Sequence, residues 1–426
     1  MPKVLLISHN PLTTYESMGK TFSTLLRSFT RDEICQLYIY PTVPNVDTCS
    51  AYYRITDKDV LRSYARFRVQ GTRIEPDTAQ SQMFESSGDE QLYRNPKNKR
   101  STVMLARDLM WKCAGWYTRE LRAWLDEQKP DCIFAAPGAA MFLYDMAMKI
   151  SRERSIPIVS YLCDEYYFVE QTGSLWRRLR LKLLRRKIEQ YMSRTSHVIT
   201  ICDELKELYT SRFHRPMTTI MTGSSFPISK EIHSVEAPAS ITYLGNIRCD
   251  RYKSIAEMGR ALEEINGEDG TDYHINVYTG EKDKQILGVL ENVKTVRLCG
   301  FVSGEEFNAV LHSADFLLHT ESFDDGYIEV VRNSVSTKIA DSLGSGVPLI
   351  AYGPGCIASM GHLLRNDCAI TITEKEALKE TLRTAFRDKE LRDQKARNGL
   401  RVAMQYHEPR ACGDMVKKVF ENITAR

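Results

Sequence analysis

Short apolar runs alternate along the chain with longer segments in which apolar residues recur every three to four positions. Such runs are typical of buried parallel strands, and such periodicity is typical of amphipathic helices. The strands predicted for the first half are KVLLISH, ICQLYIYP, DCIFAAPG, IPIVSYL and HVITI. Helices are predicted between them over 18–29 and 104–127, up to Ile150, and from Leu175 to Met192. This alternation indicates parallel strands joined by crossover helices.

The same pattern restarts in the second half of the chain. SITYLGNI, YHINVYTG, VRLCGFV, ADFLLHT and CAITI are predicted strands, with helices between them, the first over 254–265. Gly, Ser and Pro cluster over 223–230, which is typical of a linker. The segment 75–101 is polar and rich in Pro, Ser and charge, so it is predicted to be a surface loop. We therefore expect an α/β protein with two Rossmann-like, doubly wound domains.

Composition narrows the possible functions only slightly. The chain has 426 residues, of which 42% are hydrophobic, and a net charge of +3, too small to indicate a nucleic-acid partner. Its 11 cysteines form no C-x-x-C pair and no zinc spacing, which is typical of reduced thiols in the cytoplasm. The N-terminal MPKVLLISHN is interpreted as a first strand and not as a signal peptide, and no apolar run approaches the length of a membrane span.

The stretch STKIADSLGSGVPLIAYGPG, residues 336–355, carries the first candidate chemistry. Ser336 or Thr337 is predicted to cap a helix, and a helix N-terminus attracts phosphate. Lys338 lies in the first turn, where a cation is better explained by a bound anion, although a solvated lysine is the simpler alternative. Asp341 shares the helix face of Lys338; it is a candidate for binding ribose hydroxyls, or else a partner for that lysine. Neither G-x-G-x-x-G nor a P-loop is complete here.

These and neighbouring segments resemble a known family. From Ser240 to Asn366, the chain resembles the nucleotide-binding half of a GT-B glycosyltransferase of the retaining family-4 type. The resembling pieces are ITYLGNIRCDRYKS, VRLCGFVSGEEF, ADFLLHTESF, STKIADSLGSGVPLIAYGPG and the final helix HEPRACGDMVKKVFENI. The resemblance implies that Glu321 lies by the donor sugar and that Asp341, five residues before Gly346, binds the ribose.

The family's usual spacing of the two acids offers an alternative second acid. Glu329 follows Glu321 after seven intervening residues, as in the family, but no small-residue helix follows it. We therefore prefer Asp341 and interpret 324–335 as an inserted loop, which would cover the donor. The family's second acid is usually Glu, so an aspartate here is a departure.

The resemblance extends to residues that would bind the rest of the donor. Arg251 and Lys253 would neutralise the leaving diphosphate. Gly245, at the end of the preceding strand, is a further candidate for donor binding. Gly300 would approach the nucleobase through its backbone. Alternatively, Arg251 and Lys253 simply lie at the exposed start of a helix and bind no ligand.

The N-terminal half would hold the acceptor, and its candidates are fewer. Asp164 follows a predicted strand and is the candidate polar group near the anomeric carbon, with a helix-start aspartate as the alternative. Gly19 would let the backbone approach the donor phosphates, or is a plain turn residue. His9 is a further candidate at the end of the first strand.

A basic helix over 175–190 is a candidate membrane surface. Seven Lys or Arg lie within Arg177–Lys187, with Trp176 and interspersed leucines. Such a helix can rest on an anionic membrane, or it can simply be solvated.

Together these features predict a glycosyltransferase that uses a nucleotide-diphosphate sugar and a saccharide or lipid-linked acceptor. The predicted domains are 1–223 with about 405–426, which binds the acceptor, and 224–404, which binds the donor. We expect a UDP sugar, retention of anomeric configuration, no metal or other cofactor, and a cytoplasmic or peripheral location in bacterial surface-polysaccharide assembly. The alternatives are a sugar-nucleotide 2-epimerase of the same fold and a non-catalytic nucleotide-sugar-binding subunit.

Overall fold

The computed structural model describes residues 2–13, 17–66, 68–75 and 101–425, without the side chains of Ser17 and Arg66. The chain divides into two compact units. Unit 1 comprises Met1–Ile220 with Arg410–Arg426, and unit 2 comprises Met221–Pro409. The predicted domain boundaries are 223/224 and about 405. Most of the predicted loop 75–101 lies outside the described residues.

Unit 1 is built on one sheet of mostly parallel strands. Its described strands are β1 (Val4–Ser8), β2 (Ile34–Tyr38), β3 (Ala51–Arg54), β4 (Thr72–Ile74), β5 (Cys132–Ala136), β6 (Ile158–Leu162), β7 (Thr195–Thr200) and β8 (Met217–Thr219). They form the order β4-β3-β2-β1-β5-β6-β7-β8, in which β4 is antiparallel to β3. The described helices are α1 (Ser17–Leu25), α2 (Asp57–Arg66), α3 (Ser101–Cys113), α4 (Arg119–Gln128), α5 (Met141–Arg154), α6 (Leu175–Met192) and α7 (Asp203–Thr210).

Unit 2 contains a second sheet, parallel throughout. Its strands are β9 (Ser240–Leu244), β10 (His274–Tyr278), β11 (Val296–Gly300), β12 (Phe316–Thr320), β13 (Leu349–Tyr352) and β14 (Ile370–Ile372), in the order β11-β10-β9-β12-β13-β14. Its helices are α8 (Arg251–Asp269), α9 (Lys284–Glu291), α10 (Gly304–Ser313), α11 (Asp325–Val331), α12 (Lys338–Gly344), α13 (Ala358–Arg365), α14 (Leu378–Arg387) and α15 (Lys389–Tyr406). The final helix, α16 (Pro409–Thr424), follows this unit along the chain.

The apolar runs form the central strands because helices cover both sheet faces. Every residue of β1, β2, β5, β6 and β12 is buried. In each sheet the strand order reverses beside the first strand, between β1 and β5 in unit 1 and between β9 and β12 in unit 2. Ligands of open α/β sheets bind at the carboxyl ends of the strands at this switch point.

The final helix completes the core of unit 1. Phe420 is fully buried, and its ring centroid lies 5.9 Å from that of Phe29 and 5.4 Å from that of Phe134. Lys417 Nζ donates to the carbonyl oxygen of Ser28 at 3.0 Å. A helix that follows unit 2 along the chain is therefore an integral part of unit 1.

The fold also corrects several predicted elements. The helix predicted over 104–127 is two helices, α3 and α4, because the chain leaves the helix at 114–118, around Gly115. The segment 324–335, predicted to be a loop, contains α11, which Asp324 caps by accepting from the backbone N–H of Gly326. Strands β3, β4 and β8, each of three or four residues, were not among the predicted strands.

Candidate functional site

Glu321 is buried at the carboxyl end of β12 and pairs with an arginine. Its side chain is held by Arg251, the first residue of α8, through two bonds of 2.9 Å in a bidentate arrangement. The Glu321 backbone is fixed as well, because its N–H donates to Tyr352 at 3.0 Å and its carbonyl accepts from the Ser254 hydroxyl at 2.9 Å. Glu321 is 3% exposed and the Arg251 side chain is 20% exposed, so the acid is buried while its partner keeps some access to water.

A second cation, Lys338, acts on the same carboxylate. Burial raises the pKa of Glu321, while the positive charges of Arg251 and Lys338 oppose that rise. The neighbouring His319 has its pKa lowered to about 3, first by burial and then by the same two cations. His319 is therefore neutral near pH 7. Two cations, Arg251 and Lys338, therefore act on one buried acid.

Gly245 lies directly under the lysine side chain. A Cβ added at Gly245 would lie 2.2 Å from Lys338 Nζ, so a larger residue would displace the lysine side chain, and the φ of +148° strains any residue but glycine. Gly245 follows β9 and Glu321 follows β12, the two strands of the switch point. The structure thus brings together Gly245, Arg251, Glu321 and Lys338, four of the residues singled out from the sequence, and we call these four the donor-edge cluster.

Lys253 is placed differently from Arg251. Its Nζ pairs with Asp250 Oδ2 at 2.6 Å, and its side chain is 57% exposed. Cys249 and Asp250, just before α8, both adopt the left-handed conformation, with φ of 57° and 58°. Non-glycine residues in this conformation are strained and are often found at functional sites.

A further ion pair, at the ends of the neighbouring strands β9 and β10, was not predicted from the sequence. Arg248 Nε contacts Glu281 Oε2 at 2.6 Å, and this pairing is the main reason why the pKa of Glu281 is lowered to about 2. Glu281 also accepts from the backbone N–H groups of Lys282 and Asp283. The signal available in the sequence was that Glu281 follows the strand YHINVYTG.

Asp341 faces the segment that leads into unit 2. Its Oδ1 accepts from the backbone N–H of Ser225 at 2.6 Å and from the Ser224 hydroxyl at 3.2 Å, and the residue is 6% exposed. The same segment is bound to the helix end, where Ser229 N–H donates to the Gly344 carbonyl at 2.7 Å. Asp341 therefore has a structural role, and its predicted ribose role stays a prediction.

Three other predicted donor residues lie on the same unit. Thr337 is the residue before α12 and makes no side-chain capping bond, while Ser336 accepts from the Ile339 N–H at 3.1 Å through its carbonyl. Gly300 ends β11 with φ +83°, and no atom would lie within 4 Å of an added Cβ. Its conformation and open surroundings are compatible with backbone contact to a ligand. Glu329, the alternative second acid, is exposed on α11.

In unit 1, Asp164 and Gly19 have local partners. Asp164 Oδ2 accepts from the Tyr166 hydroxyl at 3.2 Å, and that hydroxyl lies 3.5 Å from an ideal Cβ at Gly138. The side chain therefore lies near the turn that follows β5. Gly19 is buried within α1, where a Cβ would lie 2.6 Å from the backbone nitrogen of Thr13, so close packing requires a glycine there.

A buried charged network at the switch point of unit 1 was also missed, apart from His9. Arg107 pairs with Asp57 at 3.0 Å and contacts His9 Nε2 at 3.0 Å. Next to it, Asp108 accepts from the Met141 backbone N–H at 3.0 Å. These residues are distant in the sequence and have no shared motif, so no local signal connects them.

The basic helix α6 divides its charges between two surfaces. Arg177, Arg180, Arg185 and Lys187 make hydrogen bonds within unit 1. The other basic residues, Arg178, Lys182 and Arg186, are exposed at four-residue spacing. Beside them Leu175, Trp176, Leu179 and Leu183 are 75%, 53%, 42% and 38% exposed. We call these seven residues the α6 surface.

The described residues offer neither a metal site nor a membrane-spanning helix. No group of three or more His, Cys, Asp or Glu residues is arranged to hold a metal ion in this part of the chain. Among the helices in the described ranges, none combines the length and apolar character needed to cross a bilayer.

Comparison with solved structures identifies the class of fold. Sucrose-phosphate synthase from Thermosynechococcus elongatus superposes with a TM-score of 0.63 at 12% identity, covering 100% of both chains. Anabaena HepE in complex with UDP and glucose gives a TM-score of 0.62 at 12% identity, covering 99% of this chain and 100% of that chain. WaaG, a glycosyltransferase involved in lipopolysaccharide biosynthesis, gives 0.57 at 12% identity, covering 97% and 99%.

This likeness confirms the predicted fold. The chain has the GT-B fold, which these glycosyltransferases share over their whole length. No protein-family model matches the sequence, and no curated protein matches it either. At about 12% identity the likeness establishes the fold and leaves the substrates open.

Proposed function

We propose that the protein is a glycosyltransferase that takes its sugar from a nucleotide-diphosphate donor, a UDP sugar. The observation that carries this proposal is the donor-edge cluster, in which Arg251 and Lys338 flank the buried Glu321 at the switch point of unit 2. Arg251 and Lys338 are cations of the kind that binds a diphosphate, and Gly245 keeps the backbone close to Lys338. The UDP complex of HepE, a protein of the same fold, supports the choice of nucleotide.

In the proposed reaction, the bond between the anomeric carbon and the diphosphate oxygen breaks. A bond from the same carbon to an acceptor hydroxyl oxygen forms on the same face, so configuration is retained. The acceptor's proton passes to the departing diphosphate, whose negative charge Arg251 and Lys338 stabilise. Glu321 lies beside the donor sugar and orients it. Retention is taken from the family resemblance.

The remaining donor contacts are assigned by the same resemblance. Asp341 binds the ribose hydroxyls, Gly300 approaches the base, and Ser336 and Thr337 contact the phosphates. Lys253 joins them after exchanging its contact with Asp250 for the diphosphate. Bound metal plays no part in this proposal.

The acceptor is a saccharide or a lipid-linked saccharide, bound by unit 1. Asp164 is the proposed polar group near the anomeric carbon, and Gly19 the proposed backbone contact to the donor phosphates. The proposed setting is the assembly of bacterial surface polysaccharide.

The α6 surface is the proposed contact with an anionic membrane at its cytoplasmic face. Leu175, Leu179 and Leu183 form an exposed stripe beside the basic stripe of Arg178 and Lys182. Apolar side chains that enter the interface, flanked by cations that bind headgroups, are the pattern of such helices. The protein should sediment with phosphatidylglycerol vesicles at low salt and not with phosphatidylcholine vesicles. Equal sedimentation of a Leu179→Glu variant would contradict this role.

The proposed function is tested with a panel of nucleotide sugars. Thermal shift identifies the donor that stabilises the protein, since a ligand of the native state raises its melting temperature. The products formed from that donor are then analysed, first without an acceptor and then with saccharide acceptors. Hydrolysis or transfer supports a glycosyltransferase, an epimerised sugar supports the 2-epimerase alternative, and bound but unchanged donor supports a binding subunit.

A further inference from the structure

An open cavity with a basic lining lies between helices α3, α5 and α6 of unit 1. Its volume is about 510 Å³, which is in the range of sites that bind small molecules. Arg152, in the last turn of α5, and Arg194, directly before β7, both line it, so the cavity lies towards the amino ends of the strands. Ligands of open α/β sheets ordinarily bind at the carboxyl ends, and this cavity is therefore separate from the switch point of unit 1.

Three cations that line this cavity have no acidic partner. The side chains of Lys112, Arg152 and Arg194 make no hydrogen bond or ion pair within the described residues, and all three residues are exposed. Asp145, which also lines the cavity, already pairs with Lys187 at 2.6 Å. Lysine and arginine bind phosphate through charge-assisted hydrogen bonds, so unpaired and accessible cations at one cavity favour a phosphate group as the ligand.

The aromatic residues of the cavity supply an apolar surface and a hydrogen-bond donor. Trp111 and Phe142 stack with their ring centroids 4.5 Å apart, and the Trp111 indole N–H donates to Asp57 at 2.7 Å. Trp116 also lines the cavity and is 7% exposed, yet its indole N–H makes no hydrogen bond within the described residues. Because a buried indole N–H usually has a partner, we expect this group to donate to an oxygen of the ligand.

The course of α6 connects the cavity to the α6 surface. The exposed residues Trp176, Leu179 and Leu183 are followed, at the same spacing of three or four residues, by Lys187 and Gln190. Both of these line the cavity, which therefore begins one helical turn, about 6 Å, beyond Leu183. An apolar stripe that leads to a group of cations suits a lipid, whose chains lie in the membrane while its phosphate lies at the headgroup level.

We propose that this cavity binds a phosphate ester, and that the source of the ester is the headgroup of an anionic phospholipid. The choice of a lipid rests on the proposed membrane contact of the α6 surface, whereas binding of a phosphate ester does not. Lys112, Arg152 and Arg194 bind the phosphate oxygens, and Trp116 donates to an oxygen of the ester. A site of this kind gives the protein a preference among headgroups, which a basic stripe alone does not provide.

The test uses the full chain and two soluble ligands, dihexanoyl phosphatidylglycerol below its micelle concentration and glycerol 1-phosphate. Isothermal titration is carried out with excess UDP, so that the proposed donor site is occupied. The double variant Arg152→Glu with Arg194→Glu reverses two charges of the cavity. Arg27→Glu with Arg62→Glu reverses two exposed charges of unit 1 outside the lining and is the matched control.

The wild type and the control should bind the short-chain lipid equally, and the site variant at least tenfold more weakly, because attraction to the phosphate becomes repulsion. Trp116→Phe, which keeps a ring but removes the N–H, should weaken binding by about fivefold, the value of one hydrogen bond. Absence of binding by both ligands, or equal binding by the site variant and the control, overturns the proposal. If glycerol 1-phosphate binds as tightly as the lipid, the ester site stands and the lipid source is overturned. Circular dichroism confirms folding, and Arg194→Ala alone decides if the double variant is unfolded.

Failure of this inference is distinguishable from failure of the proposed function. Turnover of a UDP sugar reports on the donor-edge cluster and sedimentation with vesicles reports on the α6 surface, whereas titration with the soluble ligands reports on the cavity. A protein that binds the short-chain lipid but no nucleotide sugar would overturn the proposed function alone. A protein that turns over a UDP sugar and sediments with vesicles, but binds neither soluble ligand, would overturn this inference alone.

Discussion

The carboxyl edges of the two sheets have the same topology and different electrostatics. In unit 2, the cations Arg251 and Lys338 act on one buried acid, Glu321. In unit 1, Asp57 pairs with Arg107, and Asp108 lies 3.8 Å from Arg180. Ligands of open α/β sheets bind at these strand ends, so we expect the different charged groups at the two edges to favour different ligands.

The largest effect is expected from a substitution of Glu321, the buried acid of the donor-edge cluster. Glu321→Gln should lower donor turnover by about 100-fold or more, because the carboxylate beside the sugar is lost. UDP affinity should be kept or increased, since Arg251 no longer pairs with an anion. Product analysis and isothermal titration with UDP separate the two effects. Full turnover by this variant would remove Glu321 from the site.

Lys338→Ala tests the lysine of the donor-edge cluster in unit 2. The variant should bind both UDP and inorganic pyrophosphate about 10-fold to 100-fold more weakly, the value of a charge-assisted contact to phosphate. Lys294→Ala, an exposed lysine before β11, is the matched control and should bind both ligands as the wild type does. Unchanged affinity of the Lys338 variant would mean that the charge asymmetry between the two edges has no role in binding.

Asp341→Asn tests whether Asp341 binds ribose or only holds the linker that contains Ser224. If Asp341 binds ribose, UDP affinity should fall by about tenfold while pyrophosphate affinity stays unchanged, because pyrophosphate has no ribose. Ser224→Ala removes one linker contact to the same carboxylate and should leave both affinities unchanged. Equal effects of the two substitutions on UDP would assign Asp341 to the linker alone.

The smallest expected effect is a dependence of unit 2 on pH. His407 and His362 are buried with their Nε2 atoms 3.3 Å apart, and burial lowers their pKa values to about 4 and about 3. Because these values lie below the ordinary 6.5, the neutral rings stabilise the folded state above pH 6.5. That stabilisation is lost as pH falls from 6.5 towards 4, by about 1 kcal/mol per histidine by pH 5.5.

The distribution of tryptophan makes this prediction measurable. The four tryptophans, Trp111, Trp116, Trp124 and Trp176, all belong to unit 1. Urea unfolding followed by tryptophan fluorescence therefore reports on unit 1, and circular dichroism reports on both units. His407→Gln should flatten the pH dependence seen by circular dichroism. An unchanged dependence would exclude this histidine as its source.

The sequence pointed to the residues that lie together in unit 2 better than to those that lie together in unit 1, for a physical reason. Gly245, Arg251, Glu321 and Lys338 each lie next to a strand or helix boundary that is visible in the apolar pattern. The charged network of unit 1 joins Asp57, Arg107, Asp108 and Arg180 from three helices, and their proximity depends on tertiary packing. Of the candidates taken from the sequence in unit 1, only His9 contacts this network within the described residues.

The partners of the predicted residues were harder to foresee than their positions. Lys253 and Arg251 follow the same strand, but Lys253 pairs with Asp250, the second of two consecutive left-handed residues. Asp341 was singled out for its spacing from Gly346, whereas its contacts with Ser224 and Ser225 depend on how the linker packs. The left-handed conformations of Cys249 and Asp250 could not be predicted from the sequence, because glycine is the residue that routinely adopts this conformation.

The position of α16 has a consequence for the order in which the molecule is made. Residues up to Ile220 are synthesised before unit 2, yet Phe420, which packs between Phe29 and Phe134, is synthesised after it. Unit 2 is therefore complete in sequence before that helix exists. Until the helix is made, unit 1 lacks part of its apolar core, and apolar surface exposed in this way favours aggregation during synthesis.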